Sequence, residues 1–282
     1  MRPTEPSLTA RGAAAHRAAH QVHDGGAIFA DPFVRRLLGA QVCMRADQDA
    51  ADPSRRPLRL FVAARTRFAE EALAASVGRG VRQVVILGAG YDTFALRNPY
   101  ARLGLQVFEV DHPATQDWKR ARLVEAGFVV PDCLTFVAVD FEQQNVERRL
   151  AEEGFRADLP SFFSWLGVVP YLRRESVFTI LRFIAALPEL DLVFDYAEPL
   201  ENSPLDQRAR TAAFEERVAA VGEPLLSFFD PDEIAREVRR FGFTDLEDLA
   251  AVELINRFSP MPLNVRVAGG GPHVLHARRV RG

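Results

Sequence analysis

The sequence predicts an α/β protein built on an open, mostly parallel, doubly wound sheet, with a helical cover at its N-terminal end. Three observations predict this. Apolar, β-branched runs recur as QVVILG, LQVFEVD, LTFVAVDF, PSFFSWLGV and LDLVFDY, separated by helical stretches of roughly the ten or more residues that a parallel crossover needs. The first run meets a glycine turn, Gly88-Ala89-Gly90, and continues in helix-like spacing. The chain ends in NVRVAGGGPHVLHARRV, which reads as two strands about a Gly-rich turn, an antiparallel hairpin added to the parallel sheet.

Taken in order, the elements begin with an Ala/Arg-rich segment before residue 80. TARGAAAHRAAHQV and SRRPLRLFVAARTRFAEEALAASVG carry the spacing of amphipathic helices. FADPFVRRLLG opens on an Asp-Pro signal and closes at Gly39. The composition shift near residue 80 divides a helical cover, 1–80, from a core, 81–282. Within the core, residues 197–228, AEPLENSPLDQRARTAAFEERVAAVGEPLLSF, break the strand–helix rhythm with a charged, helical middle and read as a substrate cover. The phenylalanines near it leave room for an apolar pocket, although core packing explains most of them. With 282 residues and 48% apolar composition, the chain buries a full core as one large domain or one domain with an appendage.

Charge and cysteine usage exclude several classes. Acidic residues number 38 against 35 basic ones, without a polybasic run, so neither a nucleic acid nor an anionic membrane is an expected partner and a small molecule is. The basic residues are 34 arginines and Lys119, a ratio that reads as composition bias. Cys43 and Cys133 are the only cysteines; they form no metal-binding spacing, no metal is expected, and both read as small buried hydrophobes in a reduced, cytoplasmic protein. No apolar leader or 18-residue apolar stretch occurs.

The glycine turn narrows the ligand. A dinucleotide turn wants a third glycine three residues after the second, where the helix packs close to the pyrophosphate; that position is Thr93. A β-branched residue there suits a ligand without a pyrophosphate, and S-adenosyl-L-methionine is such a ligand. Its ribose needs an acid at the tip of the second strand, and Asp111 closes VFEVD 21 residues after Gly90. Asp140 ends the third strand beside Phe141, where an adenine amine and ring would lie. The rival role for Asp140 is to cap a helix in EQQNVERRL.

RTRFAEE, VVILGAGYDTFALR, FEVDHPATQDWKRARL, VAVDFE, FFSWLGVVPYL and LVFDYAEP follow in the order and spacing of the leucine carboxyl methyltransferase family, which the chain resembles over nearly its whole length. The resemblance implies a class I, Rossmann-like S-adenosylmethionine-dependent methyltransferase. It assigns Gly88, Ala89 and Gly90 to the turn beneath the methionine moiety, Asp111 to the ribose with His112 beside it, and Asp140 with Phe141 to the adenine. Arg65 matches the position that pairs with the cofactor carboxylate, where a guanidinium fork suits the task; Arg17 is a weaker second candidate. One departure stands out: Leu166 occupies a cofactor-cleft position where several family members carry Glu, and a leucine cannot replace its hydrogen bonds.

Methyl transfer is an in-line displacement at a sulfonium carbon, and much of its catalysis comes from alignment and exclusion of water. A carboxylate acceptor, already ionised at neutral pH, asks for no general base. A phenol or alcohol would ask for one, and Tyr171 and His112 are the catalytic candidates, with His16, His20, His23, His273 and His276 as structural histidines first. The expected activity is O-methylation of a small carboxylate, such as a secondary metabolite. The alternatives are a hydroxyl acceptor with a histidine base, a cofactor-binding member without methylation, for which Leu166 argues, and a nicotinamide-dependent oxidoreductase, against which Thr93 argues.

Overall fold

The computed structural model describes residues 6–261, 263 and 270–279, the side chains of residues 206, 207 and 210 excepted. The five expected strands form as β1 (Gln83–Leu87), β2 (Gln106–Asp111), β3 (Leu134–Ala138), β4 (Ser161–Trp165) and β5 (Leu190–Ala197), all parallel to their neighbours among these five. Two further strands, β6 (Asp245–Ala250) and β7 (Pro272–Arg279), complete a sheet of order β3-β2-β1-β4-β5-β7-β6, with β7 antiparallel to both β5 and β6. The strand order reverses between β1 and β4, and an open sheet of this kind binds ligands outside the carboxyl ends at that switch. Strand β5 is buried at every position but its last, which is why LDLVFDY reads as one apolar run.

The expected C-terminal pairing is found with a different partner. The NVRV half of the predicted hairpin lies outside the described residues, and β7 pairs instead with β6 and β5. The sequence of β6, DLEDLA, sets two leucines among three acids at a partly exposed sheet edge and carries neither the β-branched residues of β1, β2, β3, β5 and β7 nor the aromatic residues of β4.

Helices cover both faces. On one, α7 (Val146–Glu152), α8 (Arg174–Ala186) and α10 (Pro231–Arg240) pack Leu150, Ile180, Ile184 and Ile234 against Phe163, Trp165, Leu192 and Phe194. On the other, α4 (Arg56–Gly78) and α11 (Ala251–Phe258) pack Leu60, Phe68, Leu73, Val77 and Leu254 against Val84, Val107, Phe162 and Val193. The α4 helix thus shares the sheet's own core although it belongs to the segment before residue 80. A third cluster joins α1 (Leu8–His23), α2 (Val34–Leu38) and α3 (Ala40–Ala50) to α6 (Pro113–Glu125) through Ala14, Ala18, Leu37, Cys43, Tyr91 and Leu123. Asp31 opens α2, its Oδ1 accepting from Val34 N at 3.0 Å. Gly39 closes it at φ 81° and starts α3 without a gap; a turn that ends one helix and opens another hid α3 from the sequence reading. The charged middle of residues 197–228 is α9 (Leu205–Ala220). Among the described residues no helix is long and apolar enough to cross a membrane.

Candidate active site

The carboxyl ends of β1, β2 and β4 meet around the glycine turn. Gly88 and Gly90 sit at φ 66° and 48°, where an L side chain is disfavoured. Val110 O accepts from Gly88 N at 2.7 Å and Ala89 N at 3.1 Å, while Gly90 N donates to Asp111 Oδ2. The other Asp111 oxygen accepts from His112 N at 2.6 Å. The acid that ends β2 therefore fastens the turn that follows β1. Burial pushes its pKa up, and these two backbone donors oppose the shift. His112 caps α6, its Nδ1 accepting from Ala114 N at 3.3 Å. Beyond the turn only one helical turn follows, α5 (Phe94–Arg97), with Asp92 Oδ1 accepting from Phe94 N at 2.7 Å.

Protein covers this turn from two directions. A Cβ on Gly90 would stand 3.0 Å from Ala10 Cβ at the start of α1, and one on Gly88 would overlap Val168 from the loop after β4. The N-terminus of α1 is held by Glu223, which follows α9: Leu8 N donates to its Oε1 at 3.0 Å, and Thr9 N at 2.9 Å, Ser7 Oγ at 3.1 Å and Thr9 Oγ1 all donate to its Oε2. Tyr171 lies beside the same Thr9, with a hydrogen bond between their side chains. Arg17, one of the few buried arginines, donates through Nη2 to Tyr91 O at 2.8 Å and so ties α1 to the residue after the turn.

Arg65 reaches this region from α4 but has a protein partner. It donates to Asp195 Oδ2 on β5, and Asp195 Oδ1 accepts from Gly167 N at 2.5 Å. Its Nη2 lies 2.7 Å from where a Cβ on Gly167 would stand. The arginine, an acid and the backbone after β4 form one unit at the sheet's edge, which gives Arg65 a structural duty that its sequence position does not reveal. Arg67, two positions on, pairs with Glu71 at 2.8 Å instead.

Asp140 follows β3, and its Oδ1 accepts from Glu142 N at 3.0 Å in a tight turn. It does not cap the next helix: Asn145 caps α7, accepting from Arg148 N at 2.8 Å. Phe141 is partly buried against the core on that side, and Leu166 is partly buried against the opposite face. The structure thus brings Gly88, Ala89, Gly90, Asp111 and His112 into direct contact and sets Arg65 and Tyr171 together beneath α1. Asp140 and Phe141 stand one strand further out, beyond β2. Of the remaining histidines, His20 accepts from Ile28 N at 3.2 Å and pairs with Asp24; His276 pairs with Asp191, and His273 lies between Glu198 at 2.8 Å and Asp248 at 3.2 Å. His16 is different: burial, and then the charges of Arg55, Arg59 and Arg65 against an opposing Asp49, lower its pKa to about 4.

Sequence reasoning missed four residues here. Val168 and Ala10 carry no chemical signal, and Glu223 pairs with residues more than two hundred positions away. Lys119 did carry a signal. The chain's one lysine is buried on α6, its Nζ 2.5 Å from Glu109 Oε2 on β2, with side chains 3% and 2% exposed.

The sheet order, the glycine turn and the acid at the end of β2 are those of a class I methyltransferase, and the comparisons agree. Two crystal structures share the fold over 98% of this chain at a TM-score of 0.60 each: a DUF574 family protein of Streptomyces avermitilis, 18% identical with 99% of its chain covered, and a Thermobifida fusca protein named as a methyltransferase, 16% identical with 96% covered. YktD of Bacillus subtilis, whose name assigns it to the S-adenosyl-L-methionine-dependent methyltransferases, is 32% identical over 92% of this chain and 93% of its own length. Residues 10–185 match the model of the leucine carboxyl methyltransferase family, and the chain belongs to that family. It is an S-adenosyl-L-methionine-dependent methyltransferase.

Proposed function

We propose that this methyltransferase acts on a carboxylate oxygen of a small cytoplasmic acceptor, such as a secondary metabolite. The state of Tyr171 carries the reading. Burial, with the Asp195 and Glu223 carboxylates nearby, pushes its phenol up to about 12 against the Thr9 hydrogen bond and the Arg65 charge. At neutral pH it is a donor and not a base. A neutral phenol beneath the cover can donate to an anionic oxygen, and a carboxylic acid with a reference pKa of about 4 is ionised without help.

The residues fit the cofactor. Two positive-φ glycines carry no side chain of their own on the turn, where Ala10 and Val168 now lie, and each oxygen of Asp111 keeps a lone pair for a ribose hydroxyl after accepting its backbone N–H. Asp140 and Phe141 would border the adenine, Leu166 would form an apolar wall, and Arg65 would face the methionine carboxylate from beside Asp195. Bound there, S-adenosylmethionine would supply an electrophilic methyl group open to displacement by the acceptor oxygen. Tyr171, beside Thr9, would orient the acceptor under the cover formed by α1 and the loop after β4.

A hydroxyl acceptor is the second reading, in which His16, on the helix that covers the site, is the neutral imidazole available, a weak base with its pKa lowered to about 4. Transfer of labelled methyl from S-adenosylmethionine to a panel of carboxylic acids and phenols separates the two. Methyl esters release the label as methanol in mild alkali, as the carboxylate reading expects. A label that survives alkali, with transfer abolished by His16→Ala, establishes the hydroxyl reading in its place.

A further inference from the structure

We infer that Glu223 is the clasp of a two-part door over the glycine turn, and that cofactor enters and leaves only when this clasp opens. The inference concerns access and goes beyond the choice of acceptor.

The door is a ring of hydrogen bonds. Ser7 N donates to Thr115 Oγ1 at 3.1 Å, fixing the start of α1 to the first turns of α6 next to Asp111 and His112. Leu226 N and Ser227 N donate to Pro170 O at 2.6 and 3.2 Å, and Ser227 Oγ donates to Val169 O at 2.9 Å, fixing the end of the α9 segment to the loop after β4. That loop carries Val168 on Gly88 and Tyr171 against Thr9. The ring is closed between α1 and the α9 segment by the four donors on Glu223.

Glu223 is the member whose loss opens the ring. The ties from Ser7 N to Thr115 and from residues 226 and 227 to Pro170 and Val169 are neutral hydrogen bonds, whereas Glu223 places a carboxylate, 8% exposed, on the free N–H groups of a 16-residue helix. Such bonds are about twice as strong as neutral ones, and a helix N-terminus favours negative charge. The carboxylate is also replaceable by water. Once the end of α9 swings out, both Glu223 and the exposed N–H groups of α1 are hydrated, so the broken clasp leaves no buried orphan and opening stays within reach of thermal motion. The closed face bears on access directly: Ala10 and Val168 both lie on the glycines, and neither can step back while residues 7–9 and 226–227 hold the two segments in place.

The test is the kinetics of S-adenosylhomocysteine binding, followed by stopped-flow tryptophan fluorescence, Trp118 lying against Tyr91 of the site. In the unmodified protein the observed rate should level off as ligand concentration rises, because opening becomes limiting. A rate that stays linear up to the ligand's solubility overturns the inference without any variant. Glu223→Gln keeps the shape and loses the charge; it should raise the plateau and the dissociation rate together, each by about 10-fold, and leave Kd within about 3-fold. Unchanged rates in Glu223→Gln overturn it. A variant whose Kd weakens with an unchanged plateau also overturns it, because Glu223 then touches the ligand and does not gate it.

Discussion

Replacing Gly88 by alanine asks whether the turn is shaped by its own cover. At φ 66° a side chain costs ~1–2 kcal/mol of backbone strain. The added Cβ would stand well under 3.0 Å from Val168 Cγ2 and 3.2 Å from Val168 Cβ, and overpacking of that kind costs a further ~1–3 kcal/mol. Gly88→Ala should therefore lower the unfolding free energy by about 2–5 kcal/mol. Val168→Ala removes two carbons from a partly buried site, worth ~1.5 kcal/mol alone. In the Gly88→Ala background the same truncation removes the clash and leaves the strain. The two substitutions should thus couple favourably by about 1–3 kcal/mol. Urea unfolding of the four proteins, with a shared m-value, measures the coupling. A coupling below about 0.5 kcal/mol, the ordinary scatter of independent sites, refutes the placement of Val168 on Gly88.

Three further outcomes follow from the same structure. Arg65→Ala should weaken S-adenosylhomocysteine binding in calorimetric titration and also lower the melting temperature, since it strands Asp195, 3% exposed, at a cost on the order of 3 kcal/mol; an unchanged melt contradicts the ion pair. Lys119→Met should destabilise by about 3–5 kcal/mol by leaving Glu109 buried without its partner, and adding Glu109→Gln should recover most of the loss, which chemical unfolding checks. His16 binds its proton in the unfolded chain near pH 6.5 but in the fold only near about 4; between those values the unfolded state holds more protons, so stability should fall on acidification by at most about 3 kcal/mol, and His16→Gln should flatten that part of the pH–melting profile.

What the sequence made legible is what short spans of chain decide. Strands β1 to β5 are apolar runs bounded by turns, and the residues at their carboxyl ends, Gly88, Gly90, Asp111 and Asp140, were placed by the rule that such ends face one crevice. The Asp111 bond to Gly90 spans 21 positions, a separation fixed by one β–α–β step. Glu223 and Thr9 are 214 positions apart, and nothing near either residue forecasts their meeting. The same holds for Ala10 on Gly90 and Val168 on Gly88, side chains chosen for size alone. Lys119 was hidden for another reason: among 34 arginines a lone lysine looks like drift, and only burial beside Glu109 shows that a compact ammonium fits there.

Leu166 shows how a missing acid is read differently once the fold is known. In the sequence, leucine at the end of β4 removes a carboxylate that the family resemblance expects at the cofactor cleft, and it supports a member that binds cofactor without turning it over. In the structure, the next residue, Gly167, donates its N–H to Asp195 at 2.5 Å, and Asp195 holds Arg65 with its second oxygen. An acid at the sheet edge is thus supplied from β5, one strand over, while Leu166 packs among apolar neighbours. A carboxylate at 166 is not required to hold this loop, and Asp195 already balances the charge of Arg65. Restoring the acid tests the point: Leu166→Glu should add an uncompensated charge to an apolar wall and weaken, not improve, S-adenosylhomocysteine binding. Tighter binding would show instead that the cleft still waits for the carboxylate, and that Asp195 serves only the fold.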